Sequence, residues 1–135
     1  MSPVLEKLMS SRVYAIASER SVSDAAEELA KREVGSLLVD RNGTYVGMIS
    51  ERDIIRKVVA KGADPASISV GAIMSPPVTI EADQTVIGAN DLMKIKKVRH
   101  LAVTKNGGII GIISVRDLLQ ALYTEHQESG VREFD

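Results

Sequence analysis

Gly47-Met48-Ile49-Ser50-Glu51-Arg52-Asp53 returns 64 residues later as Gly111-Ile112-Ile113-Ser114-Val115-Arg116-Asp117. A sequence that repeats itself at a fixed spacing is built from two copies of one unit, and the repeat decides how the rest is read. Identities continue upstream, through Asn42-Gly43 against Asn106-Gly107, Val39 against Val103, Leu37 against Leu101 and Val22 against Val86. They are densest around the Gly-x-x-Ser-x-x-Asp segment, where backbone shape and polar side chains both count.

Working outward, each copy spells the same series of elements. Val34 to Asp40 and Tyr45 to Ile49 are rich in β-formers, and Asn42-Gly43 between them suits the positive φ angles of a two-residue hairpin turn. Val98 to Thr104, Asn106-Gly107 and Ile109 to Ile113 repeat the pattern. Upstream, Val22, Ala25, Ala26, Leu29 and Ala30 form an apolar helical stripe, with Ser21 as its N-cap. Val86, Ala89 and Met93 follow Thr85 in the same way, and Lys94, Lys96 and Lys97 fall on a solvated face. Short extended stretches, Val13 to Ile16 and Val78 to Ile80, precede these helices. Before them come short helices ending in Met9-Ser10 and Met74-Ser75, where Leu5 matches Val70 and Leu8 matches Ile73. Ser2-Pro3 reads as the start of the first. A last helix carries Ile54, Ile55, Val58 and Val59, or Leu118, Leu119 and Leu122. The order helix, strand, helix, strand, strand, helix predicts an α/β fold in two copies. One strand pair is parallel across the helix and the other is a hairpin. The first repeat spans residues 5–62 and the second 70–123. Asp64-Pro65 opens the linker, and 124–135 form a polar tail. A half of this size is marginal alone, which predicts that the halves pack on each other.

Composition narrows the function. A net charge of −1 supplies no field for nucleic acid or an acidic membrane, and aromatic residues at 3% are too few for a base-stacking platform. With no cysteine, disulfides and thiolate metal sites are excluded, and His100 and His126 share no metal-ligand spacing. No signal peptide and no membrane-spanning apolar run is present, so a cytoplasmic protein is expected. No catalytic motif such as a nucleophile elbow occurs, and an enzyme is not expected.

The repeated Ser-x-x-Asp has two readings. Ser50 with Asp53, and Ser114 with Asp117, fit capping boxes that start helices. The same geometry suits a ribonucleotide. A helix N-terminus, a serine hydroxyl and the neighbouring Arg52 or Arg116 favour phosphate, and an ionised aspartate accepts both hydroxyls of a vicinal diol. Capping alone requires neither the arginines nor the repeated Asn-Gly turns.

Taken together, Met9-Ser10 and Met74-Ser75, Val98-Arg99-His100-Leu101-Ala102-Val103 and the two Gly-x-x-Ser-x-x-Asp segments resemble a tandem pair of cystathionine β-synthase (CBS) domains, a Bateman module. The resemblance covers roughly residues 5 to 123. It implies two small three-stranded sheets with helices, packed through their sheets, and two clefts for adenosyl ligands such as AMP, ADP, ATP or S-adenosylmethionine. It also implies a homodimer, a regulatory role exerted on an effector protein, and no catalysis or catalytic cofactor. By the resemblance, Asp53 and Asp117 bind ribose, and Ser50, Arg52, Ser114 and Arg116 lie near phosphate. The Asp117 cleft takes adenine against Val13, Tyr14, Ala15, Val34 and Ser36. The Asp53 cleft uses Val78, Thr79, Ile80, Val98 and His100. Arg99-His100 aligns with Gly35-Ser36, which implies unequal phosphate sites, the Asp117 cleft being the tighter. Leu38 and Ala102 stand where the family often has proline, which implies an altered adenine wall. The alternative is an interaction module whose clefts bind nothing.

Overall fold

In a computed structural model of the chain, residues 4–9 and 12–128 are described, with side chains to residue 123. The chain forms two compact units. One is Val13–Pro77; the other joins the N-terminal segment, Met1–Arg12, to Val78–Asp135.

In the Val13–Pro77 unit, strand β1 (Ala15–Ala17) leads into helix α1 (Val22–Arg32), then β2 (Ser36–Arg41) and β3 (Thr44–Ser50). The sheet order is β1-β2-β3, with β1 parallel to β2 and β2 antiparallel to β3. Asn42 and Gly43 take φ of 53° and 83°, the left-handed pair the hairpin requires. Helix α2 (Glu51–Ile54) follows β3 directly and runs on as a π turn, Ile55–Val59. The last helix, α3 (Val70–Ile73), closes the unit. The other unit repeats the plan with β4 (Thr79–Glu81), α4 (Val86–Lys96), β5 (His100–Lys105), β6 (Gly108–Ser114) and α5 (Val115–Glu128), in sheet order β4-β5-β6. The parallel pair and the hairpin appear in both units, as the sequence predicts.

The expected caps are present. Ser21 accepts a hydrogen bond from the Asp24 amide at 3.0 Å, and Thr85 accepts one from Gly88 at 3.3 Å. The apolar stripe of α1 is narrower than predicted. Val22, Ala25 and Leu29 are buried, while Ala26 and Ala30 are exposed. A seam of one residue per turn suffices against a three-stranded sheet, and alanine gains little area by joining it. The last helix of each repeat is also split: Ile54, Val58 and Leu118 are buried, and Ile55, Val59, Leu119 and Leu122 are exposed. Helix α5 continues to Glu128, into what reads as a polar tail. Its glutamates and glutamine are good helix formers, and extending a helix costs less than nucleating one.

The short helices at the repeat starts are where repeat and core part company. Leu5 opens the first repeat, in a 3₁₀ turn (Leu5–Lys7) whose N-cap is Val4; the Ser2-Pro3 start lies outside the described residues. Leu5 is fully buried in a core with Ile80, Val86, Leu101, Val103 and Ile113, all from the second repeat. Its amide donates to the Gln84 carbonyl at 2.9 Å, and Lys105 pairs with Glu6 at 2.6 Å. Helix α3, which opens the second repeat, places Val70 and Ile73 in the core of Ile16, Leu37, Val39, Ile49 and Val58. Leu5→Ala is therefore expected to cost about 2–5 kcal/mol of stability. Hydrogen exchange should show the loss at Leu101, Val103 and Ile113 rather than at Leu37 and Ile49.

Candidate functional site

The start of β1, the start of β2 and the end of β3 share one end of the sheet, as the strand directions require. Ser36 opposes Ser50 across β2 and β3, and His100 opposes Ser114 across β5 and β6. The first amide of each following helix is tied to the lead-in of the central strand: Glu51 donates to the Gly35 carbonyl and Val115 to the Arg99 carbonyl, both at 3.0 Å. Each unit thus gathers its own share of the singled-out residues at one end. The Val13–Pro77 unit holds Val13, Tyr14, Ala15, Val34, Ser36, Ser50, Arg52 and Asp53. The other holds Val78, Thr79, Ile80, Val98, Arg99, His100, Ser114, Arg116 and Asp117.

The capping boxes form in both copies. Asp53 Oδ2 accepts from the Ser50 amide at 3.0 Å and hydroxyl at 3.1 Å, and Ser50 Oγ accepts from the Asp53 amide at 3.2 Å. The corresponding distances for Asp117 and Ser114 are 2.8, 3.0 and 3.1 Å. Each carboxylate is fixed through one oxygen, which leaves the other to further donors.

In the first copy those donors are in place. Asp53 Oδ1 accepts from Ser75 Oγ at 3.1 Å and pairs with Lys57 Nζ at 3.1 Å. Ser75 reaches the site because residues 74–75 lie along β3. Met48 and Ser75 exchange backbone hydrogen bonds at 2.8 and 2.9 Å. Gly47 permits the approach, since a Cβ there would stand 2.6 Å from Met74 Sδ and 3.0 Å from the Ser75 carbonyl. Lys57 was legible in the sequence as an Asp-x-x-x-Lys pair on one helix, but nothing marked it as functional. The Ser75 contact joins residues far apart in the chain.

Other wall residues have structural partners. Ile16 and Ile80 are buried in their cores, so Ile80 offers a site only its backbone. Tyr14 lies under the Arg32 guanidinium, 4.8 Å from the ring centre, and Arg32 bonds to Glu28 at 2.9 Å. The latter bond holds the exposed Glu28 carboxyl below its ordinary pKa and raises that of Arg32. At the positions where the resemblance implies proline, the Leu38 amide donates to the Tyr14 carbonyl at 3.0 Å and the Ala102 amide to the Val78 carbonyl at 2.9 Å. Proline has no such donor. These bonds engage the carbonyls of Tyr14 and Val78 within the sheets. Among the described residues no cluster of His, Asp or Glu fits a metal ion, and no helix is long and apolar enough to cross a membrane.

Two α/β units, each a three-stranded sheet with a serine–aspartate cap at the strand-to-helix turn, define a tandem-repeat module. The chain belongs to the CBS domain family, whose model matches residues 5–60 and 70–124. It is 33% identical over 117 residues to the mitochondrial CBS domain-containing protein CBSX3 of Arabidopsis thaliana, covering 82% of this chain but only 57% of that protein. An uncharacterised 17.7 kDa protein of Acidianus ambivalens is 33% identical over 129 residues, covering 93% of this chain and 77% of its own length. Among solved structures, a CBS-domain protein of Burkholderia ambifaria matches with a TM-score of 0.87 at 28% identity, covering 93% of this chain and 97% of that one. A hexameric CBS-CP12 protein from bloom-forming cyanobacteria matches with a TM-score of 0.83 at 28% identity, covering 99% of this chain and 79% of that one. The chain is a tandem pair of CBS domains.

Without any ligand, removing either cap aspartate should destabilise the chain by about 1 kcal/mol. Asp53→Ala should cost somewhat more than Asp117→Ala, because it also strips Lys57 and Ser75 of an acceptor. Urea unfolding of the two variants measures the difference.

Proposed function

We propose that this chain is a sensor of adenine nucleotides, with Asp53 and Asp117 as ribose acceptors. Ser50, Arg52, Ser114, Arg116, Arg99 and His100 lie on the phosphate side, and the strand lead-ins 13–15, 34–36, 78–80 and 98 lie near adenine. The observation that carries this reading is the Asp53 carboxylate. One oxygen is locked by the cap, and the other already accepts the Ser75 hydroxyl and is paired with the Lys57 ammonium, each at 3.1 Å. A vicinal diol makes the same demand: two donors on a carboxylate that is held in place and acts only as an acceptor. The repetition of serine, arginine and aspartate in both copies supports two such sites. Such a module acts by shifting a conformational equilibrium that a partner protein reads, to the extent that ligand affinity differs between the states. The chain carries out no chemistry of its own in this reading.

Thermal or chemical unfolding with AMP, ATP and S-adenosylmethionine tests it. At a ligand concentration of 100 Kd the chain should gain about 2.7 kcal/mol, and Asp117→Ala should lose most of that gain. No stabilisation by any of the three would favour the alternative, a module that only docks or dimerises.

Self-association has its own support. Ile55 and Val59 on the first repeat's last helix are 59% and 62% exposed, and their counterparts Leu119 and Tyr123 are 61% and 49% exposed. Large apolar side chains repeated on two helices favour an interface between copies of the chain. A homodimer through these helices predicts that Ile55→Glu with Leu119→Glu yields monomers. Light scattering would show the mass halved and circular dichroism unchanged.

A further inference from the structure

Lys57 distinguishes the two copies. Its ammonium meets three acceptors: the Ile73 carbonyl at 2.8 Å, Ser75 Oγ at 3.0 Å and Asp53 Oδ1 at 3.1 Å. Two of its N–H donors are thus hydrogen-bonded to Ile73 and Ser75, and its charge is paired with the carboxylate. The backbone that carries Lys57 is itself particular to this copy. Ile55–Val59 is a π turn, closed by the Ala60 amide on the Ile55 carbonyl at 2.8 Å, whereas α5 runs from Val115 to Glu128 as α-helix. At the position of Lys57 the second copy has Ala121, which carries no side-chain donor. The serine matching Ser75 is Ser10, outside the described residues.

We propose that Lys57 is a built-in occupant of the Asp53 carboxylate, so that the two copies are unequal nucleotide sites. This rests on the nucleotide reading above and adds what sets the order of filling. A ribose diol arriving at Asp53 has to displace Lys57 and Ser75 from Oδ1; at Asp117 the position of Lys57 is taken by Ala121, which has no donor to displace. Asp53 is 15% exposed and Lys57 43% exposed, so the pair is sheltered on the carboxylate side and open on the ammonium side. A displaced ammonium therefore returns to water at modest cost, which makes the occupant exchangeable rather than permanent. Nucleotide goes first to Asp117. The Asp53 site fills at higher concentration, and filling it releases Lys57 from the Ile73 carbonyl and Ser75, at the head of the second repeat.

Isothermal titration of the full chain with AMP, with Lys57→Met beside the wild type, is the test. Methionine keeps an apolar stem of similar length and removes the charge. The wild type should show one tight event per chain, lost in Asp117→Asn, and a weaker second event, lost in Asp53→Asn. Lys57→Met should tighten the second event by about tenfold, the scale of one charge-assisted hydrogen bond, and leave the first where it was. The intact first event reports that the variant is folded. Ser75→Ala should act in the same direction by a smaller factor. Equal sites in the wild type overturn the inference. So does a second event that Lys57→Met leaves unchanged or weakens; weakening would make the lysine a phosphate ligand. Nucleotide uptake that ignores Lys57→Met overturns this inference alone. Uptake by neither protein overturns the nucleotide reading and this inference with it.

Discussion

The turn from strand to helix at Ser50 and at Ser114 is the constraint on which each unit depends. A helix that begins where a strand ends has amides at its first turn with no partner within the helix. Serine and aspartate satisfy them reciprocally, at 2.8 to 3.2 Å in both copies. The Gly35 and Arg99 carbonyls take the first helical amide, which fixes the start of the central strand against the end of its neighbour. The cap is thus a joint between three elements. A carboxylate used in this way is held in one orientation at the surface of the unit, which suits it to receive a ligand. In the nucleotide reading proposed above, the structural and functional roles of the motif do not compete: the cap is what positions the acceptor.

The copies share this joint and differ at Lys57, whose counterpart is Ala121. In the first, residues 74–75 lie along β3, where glycine at position 47 leaves room, and they bring Ser75 to the carboxylate. Lys57, one helical turn on from Asp53, reaches the same oxygen. Duplication conserved the acceptor, and substitutions one helical turn away altered its neighbours.

Much of this was legible from residues alone. The hairpins followed from Asn42-Gly43 and Asn106-Gly107, because only a few residue types tolerate two successive positive φ angles. Helix starts followed from Ser21, Thr85, Ser50 and Ser114, since capping is local chemistry between residues three apart. Burial was read less well. Ala26 and Ala30 fit the periodic stripe yet face solvent, because periodicity marks a direction and not the width of the surface that meets it. The engagement of Tyr14 by Arg32 and of its carbonyl by Leu38 had no signal in the pattern.

By itself, the sequence determined the duplication, the order of elements, the turn types and the capped aspartates. All of these depend on residues within a few positions of one another, or on the identity of two aligned segments. The tertiary structure decided which core each opening helix completes. Leu5 belongs with Leu101 and Ile113, and Val70 with Leu37 and Ile49, although repeat alignment places Leu5 and Val70 at the head of the opposite copies. It also decided what fills the second oxygen of Asp53. Both outcomes turn on where a distant stretch of chain comes to lie. That placement is set by packing against a whole sheet, and no local spacing encodes it.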